Sequence, residues 1–266
     1  MLDYGEEGGG FATVPIPHLA RGGRWRVEAM RSYSHARLIW FTRGQGRITV
    51  AGVTRGYGPN NAVFLPAGTM HGFELNPQVF GTVIDFPAAL SAEMPTSPIH
   101  LRVRDAVHQG EFSAHLESFQ RELSGDKPGR HLALESYARL MMIWLERQVS
   151  LGSTDTAPDD AAKRLANKFT DLVERDLSAK KTVSEFAHEL GVTPTHLSRV
   201  CNAAAGRSAH DLMTDRLLAE ANRLLADTDT PIRNIAADLG FSSAAYFSRA
   251  FQKKAGKSPS HFRANS

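Results

Sequence analysis

Cysteine is almost missing: Cys201 is the only one among 266 residues. A disulfide within the chain is therefore impossible, and so is a zinc centre built on several cysteines of one chain. There is also no apolar run approaching the roughly eighteen residues that a membrane-spanning helix needs, so no membrane partner is expected. Met1–Phe11 is acidic and glycine-rich and lacks the basic-then-apolar pattern of a secretory signal, which makes the cytoplasm the simple expectation. Nor does one sign of charge dominate, the formal net charge being only +3. That small excess is unevenly placed, because the first 158 residues carry as many acidic as basic side chains. From Phe241 onward Arg249, Lys253, Lys254, Lys257 and Arg263 stand without one acidic residue, a tail suited either to a polyanion or simply to solvent.

Three regions separate by pattern. Arg37–Thr42 (RLIWFT), Gly46–Val50 (GRITV), Ala62–Leu65 (AVFL) and Val79–Phe86 (VFGTVIDF) are short apolar runs bounded by Gly, Pro and Asn, and read as strands of a sandwich or barrel. The period then turns helical, with Phe112, Leu116, Phe119 and Leu123 on one stripe of Glu111–Gly125. His131–Val149 is apolar on more than one face, so it either packs wholly on its own domain or spares a face for a second copy of the chain. Leu151–Asp160 (LGSTDTAPDD) reads as a linker, and everything beyond it as helix. The expected division is 1–150, a strand-rich domain followed by helices; 151–160, a linker; and 161–266, a helical domain.

The helical part contains an internal repeat. Thr182–Gly191 (TVSEFAHELG) is echoed by Pro231–Gly240 (PIRNIAADLG) at an offset of 49, and Ser198-Arg199 by Ser248-Arg249 at an offset of 50. Each copy has the grammar of a helix, a tight turn and a second helix. Thr182 with Glu185 forms a capping box, Thr230-Pro231 an N-cap with proline in the first turn, and Gly191 and Gly240 end the first helices. Thr193-Pro194 starts one second helix and Ser242 or Ser243 the other. A long helix over Ala209–Ala226 joins the copies. If each second helix enters a major groove, the two should sit about one duplex turn apart, roughly 34 Å.

Residues 165–263 resemble the DNA-binding domain of the arabinose-regulator (AraC/XylS) family. Ile235–Arg263 (IAADLGFSSAAYFSRAFQKKAGKSPSHFR) follows that family's signature nearly throughout. The resemblance implies a regulator of transcription that binds double-stranded operator DNA, usually an activator working with RNA polymerase, commonly a homodimer and not an enzyme. Ile235, Leu239, Phe241, Phe247, Phe251 and Phe262 are expected in the core. The expected DNA contacts are Thr195, Ser198 and Arg199 from the first unit, and Ala244, Ala245, Ser248 and Arg249 from the second, with Lys253 and Lys254 on phosphates. The alanines cannot donate hydrogen bonds, so the first unit is expected to discriminate bases and the second to anchor. Cys201-Asn202 departs from the aromatic-lysine pair usual at that place.

The strand-rich part resembles the cupin-like jelly roll often joined to this module, on Ser34–Arg37, Gly44-Gln45-Gly46 and Phe64–Phe73. The overall expectation is thus two domains: an N-terminal all-β jelly roll followed by helices, and a C-terminal all-α domain with two helix-turn-helix units joined by a linker helix. Leu65-Pro66-Ala67-Gly68 turns the chain so that His71 can face the barrel interior. Metal-dependent cupins carry His-x-His with a downstream Glu; here Arg37 holds the second histidine's place and Leu38–Thr42 has no carboxylate, so no metal or other cofactor is expected. An arginine at an apolar barrel suits a small acid effector, with aromatic acids among the candidates. Arg37 with His35 or His71 would take the acid group, and Trp40, Phe64 and Phe73 the apolar part. Strand alternation leaves open whether Arg37 points inward. A metal-dependent cupin enzyme fused to a DNA-binding module, and a constitutive DNA-binding protein whose barrel only dimerises, are the alternatives.

Overall fold

Successive side chains of a strand point to opposite faces of its sheet, so a strand apolar at every position must be covered on both. The computed structural model, which describes residues 10–21, 23–154, 160–177 and 180–264, shows this arrangement around the run RLIWF. In chain order the first half comprises β1 (Ala12–Pro15), the single-turn helices α1 (Ile16–Leu19) and α2 (Trp25–Glu28), β2 (Arg37–Arg43), β3 (Gly46–Val50), β4 (Val53–Tyr57), β5 (Asn61–Leu65), β6 (His71–Phe73), β7 (Phe80–Asp85) and β8 (Ile99–Arg102). One antiparallel sheet has the order β1-β7-β2-β5-β8 and a second the order β4-β3-β6. Ile39, Phe41, Val63, Leu65 and Val83 of the larger sheet meet Ile48, Val50, Tyr57 and Phe73 of the smaller one between the sheets. Leu38, Trp40, Ala62, Phe64, Ile84 and Leu101 point the other way, onto α3 (Ala106–Leu123) and α4 (Arg130–Ser150).

This alternation corrects the expected ligand set. Trp40 and Phe64 lie on the helix-facing side, Trp40 tilted against Phe112 at 4.8 Å and edge-on to Trp144 at 6.0 Å. They cannot share a cavity with Arg37, which is one residue out of phase with both. Phe73 does lie between the sheets, but it is packed edge-on against Phe41 and Tyr57.

Some boundaries also move. α3 starts five residues before the expected helix, because Asp105 caps it by accepting from the backbone N–H groups of Val107 and His108 at 2.8 and 3.1 Å. The expected linker is partly tied down, since the backbone N–H of Arg102 donates to Ser153 at 2.8 Å and Thr154 bridges to Leu101. The rest of it, 155–159, and the N-terminal stretch 1–9 lie outside the described residues. α4 buries Leu134, Ala138, Met141, Met142, Trp144 and Leu145 and leaves Leu132, Leu140 and Ile143 exposed on its other side. Among the described residues no helix is long and apolar enough to cross a membrane.

The second half is helical: α5 (Ala161–Arg175), α6 (Val183–Glu189), α7 (Pro194–Ala205), α8 (Ala209–Asp227), α9 (Ile232–Asp238), α10 (Ala244–Ala255) and α11 (Pro259–Arg263). Its two apolar cores each take side chains from the first half. Met30 and Met70 join Phe169, Phe186, Leu197 and Cys201 in one. Trp25 packs edge-on to Phe251 and Phe262, both at 6.1 Å, in the other.

Arg37 points inward, at the end of the inter-sheet layer. Asp85 stands opposite it on β7, and the guanidinium donates from Nε and Nη2 to the two carboxylate oxygens at 2.6 and 3.0 Å. Both side chains are nearly wholly buried, at 6% and 9% exposure. Burial alone would raise the Asp85 carboxyl, but the Arg37 charge and its two hydrogen bonds, with His35 close by, outweigh it and hold the group down at about 2. An unfolded aspartate titrates near 3.9, so the stabilisation is complete above that pH and is lost as pH falls toward 2. Removing one member of a buried pair leaves an uncompensated charge. Arg37→Met should therefore cost about 3–5 kcal/mol in urea unfolding at neutral pH, and Arg37→Met with Asp85→Leu should recover most of it.

Candidate nucleic-acid interface

The repeat seen in the sequence becomes two helix-turn-helix units, α6–α7 and α9–α10. In the first unit the Thr182 hydroxyl accepts from the Glu185 backbone while the Glu185 carboxylate accepts from the Thr182 backbone at 2.7 Å, the reciprocal box expected. The second unit lacks it: Pro231 itself is the N-cap of α9, and no side chain caps that helix, in place of the expected cap at Thr230. The turns agree, with Gly191 at φ 69° and Gly240 at φ 76°, a left-handed conformation that glycine adopts without a Cβ penalty. Thr193 caps α7 by accepting from His196, and Ser243 caps α10 by accepting from Tyr246. Both second helices end at a left-handed glycine, Gly206 and Gly256.

Ala187 and Ala236 are fully buried where the helices of each unit cross. Ile235, Leu239, Phe247, Phe251 and Phe262 form the second core as expected, while Phe241 is half-buried. Cys201 occupies the place that Phe251 holds in the second copy; burial pushes its thiol up to about 12, so it is core and not reactive at neutral pH.

The outer faces carry the repeat too. Thr195, Arg199 and Asn202 are exposed on α7, and Ala245, Arg249 and Gln252 on α10, each set at i, i+4, i+7 and offset by 50. Ser198 and Ser248 are half-buried beside the stripes, and Ala244 is exposed at the start of α10. Arg199 is held by His196, whose Nδ1 lies 3.0 Å from its Nη2. Lys253 is exposed, but Lys254 is otherwise engaged: its Nζ lies 2.7 Å from Oδ1 of buried Asp215. That ion pair competes with the expected phosphate contact. Asn202 and Gln252 were not among the expected contacts. Carrying the offset of 50 one helical turn further would have found them, and an amide at such a place can pair bidentately with adenine.

The effector residues expected at His35, Arg37 and His71 come together at the barrel end, with two additions. The Arg37 guanidinium lies 3.7 Å over the ring of Tyr33, and that ring is flanked by His35 and His71 at 5.4 and 5.7 Å. His35 Nε2 is 3.3 Å from Asp85 Oδ1. His71 Nδ1 donates to the Thr69 carbonyl at 2.9 Å; burial and the Arg37 charge push its pKa down to about 3, so it is neutral and its Nε2 can only accept. Arg31 donates to the Ala29 and Trp25 carbonyls at 3.4 and 3.5 Å, and burial lowers its pKa. Burial would raise the Tyr33 hydroxyl, but Arg37 and Arg31 bring it down to about 8. Both guanidinium groups act on Tyr33, and Asp85 pairs with that of Arg37. Among the described residues no three His, Cys, Asp or Glu side chains stand together as a metal site.

A polar latch lies on the other side of the same segment. Ser32 donates to Glu174 at 2.6 Å, and Arg216 of α8 donates to Glu174 at 2.7 Å and to Ser32 at 3.2 Å. Thr54 of β4 also donates to the carbonyl of Ala205, at the end of α7, at 3.0 Å.

A pair of helix-turn-helix units on one connecting helix, with matched polar stripes exposed, defines a DNA-binding protein. Residues 186–265 match a family model described as a helix-turn-helix domain. The arabinose operon regulatory protein of Salmonella typhimurium is 27% identical over 232 residues, spanning 84% of this chain and 81% of that protein. The probable transcription factor PqrA of Proteus vulgaris is 30% identical over 106 residues, 39% of this chain and 87% of that protein. Among solved structures, ToxT from Vibrio cholerae aligns over 97% of this chain and 98% of its own at 10% identity, with a TM-score of 0.46. The chain belongs to the arabinose-regulator family of DNA-binding transcriptional regulators.

Proposed function

We propose that this regulator docks both second helices on one face of operator DNA and responds to a small acid bound at the barrel end. The observation that carries DNA docking is the pair of stripes, Thr195/Arg199/Asn202 and Ala245/Arg249/Gln252, which stay exposed while the barrel is seated on the helical half. α7 offers three hydrogen-bonding side chains and acts as the reader. α10 offers Arg249, Gln252 and Lys253 beside two alanines and acts mainly as the anchor. Arg199→Ala should cost about 1–3 kcal/mol on a selected site and relax preference at one position, whereas Arg249→Ala should weaken all sequences alike and lower the salt slope by about one. Binding titrations across site variants and salt concentrations check this. Lost base preference in Arg249→Ala alone would overturn the division.

The acid-effector reading moves from Arg37, whose fork is filled by Asp85, to Arg31 and Tyr33. An anion there would offset the second guanidinium, which burial leaves poorly compensated. It would also reach the helical half directly, because Met30 and Ser32 on either side of Arg31 belong to the first unit's core and to the Glu174 latch. A second copy of the chain fits the exposed Leu132, Leu140 and Ile143 of α4, and RNA polymerase is the further partner if the regulator activates. Ultraviolet titration should show one tyrosinate appearing near pH 8 and missing in Tyr33→Phe. A bound carboxylate drawn from a panel of small aromatic and aliphatic acids should push it up, and Arg31→Met should abolish that effect. A panel with neither an upward shift nor a thermal shift would remove the acid reading.

A further inference from the structure

Asp215 lies in the first half of α8 with 2% exposure, deeper than any carboxylate that serves a surface ion pair needs to be. Each of its two oxygens lies within ion-pair distance of a cation from a different unit. Arg207, in the turn that follows Gly206 at the end of α7, donates from Nη2 to Oδ2. Lys254, in the last turn of α10, places Nζ 2.7 Å from Oδ1. A buried carboxylate is tolerated only while its charge is compensated, so both cations are held to one point on the connecting helix. Arg207 follows Asn202 of one exposed stripe by five residues, and Lys254 follows Gln252 of the other by two. The C-terminal ends of both second helices are therefore pinned through a single side chain.

We propose that Asp215 is a positioning residue that sets the separation and angle of the two second helices, and through them the half-site spacing that the protein accepts on DNA. The proposal rests on both helices docking together. Asp215 touches no base or phosphate; it acts through Arg207 and Lys254. Leu218, Ala221 and Leu225 seat the second core on α8. The ion pair adds a directional point of attachment at the C-terminal end of α10, beyond that apolar contact. Lys254 thereby serves spacing and not phosphate binding, which separates two roles that its place in the basic tail would merge.

The test uses the full-length protein and duplexes that the wild-type chain selects from a random pool, rebuilt with the spacer between half-sites lengthened or shortened by one and two base pairs. The wild type should lose about tenfold or more in affinity at one base pair either way, the scale of a poorly fitted contact. Asp215→Asn should flatten that profile to about threefold or less. Lys254→Met should flatten it as well, and it remains informative if Asp215→Asn fails to fold, because Lys254 is partly exposed. Asp215→Glu, which keeps the charge, should restore part of the selectivity. A folded variant with the wild-type spacing profile would overturn the proposal, as would a Lys254→Met protein that binds all spacings more weakly with a salt slope smaller by about one. A wild type indifferent to spacing would instead remove the tandem docking itself, and the proposal with it.

Discussion

Both helix-turn-helix cores take side chains from the barrel half. Met30 and Met70 are buried among the side chains of the first unit, and Trp25 packs against Phe251 and Phe262 of the second. Fully burying one such side chain stabilises by about 1.5–3 kcal/mol, so undocking the barrel would weaken both units at once. One short stretch, from Trp25 to Ser32, thus touches both DNA-binding units and the latch on α8. The rest of the architecture follows from that stretch. It places the smaller sheet against α5 and α7, keeps the barrel off the exposed stripes, and puts half-buried Arg31 and Tyr33, with buried Arg37 and Asp85, within one residue of the latch.

Buried charge recurs at each junction. Arg37 with Asp85 joins β2 to β7, Arg216 with Glu174 and Ser32 joins the barrel to α8, and Asp215 with Arg207 and Lys254 joins the two units. Such groups contribute little net stability compared with well-packed apolar replacements, but they tolerate few geometries. Apolar packing supplies the stability of this molecule, while the ionic groups select which of several packings it adopts. That division suits a regulator, because a ligand that alters one buried charge can shift the arrangement without unfolding a core.

The sequence made the helical half legible in detail and the β-rich half only in outline. Caps, glycines and the offset repeat are local signals, and they located both second helices and most of the second core. Asn202 and Gln252 were within reach of the same periodicity. The β-rich half depends on contacts that no short window contains. Asp85 lies 48 residues from Arg37, and nothing near either one announces the pair. Continuous apolarity in RLIWF gave no phase, so Trp40 and Phe64 could be placed on the wrong face. Arg31 and Tyr33 carried no motif; only the turn that brings His71 beside them shows the cluster. Lys254 reads as one more basic residue until α8 brings Asp215 to it.

Hydroxyl-radical footprinting of the full-length protein on a selected duplex tests the tandem docking most directly. Two protected patches on one face of the DNA, centred about one helical turn or roughly 34 Å apart, are the predicted result. A single patch the width of one half-site, unchanged at saturating protein, would contradict it.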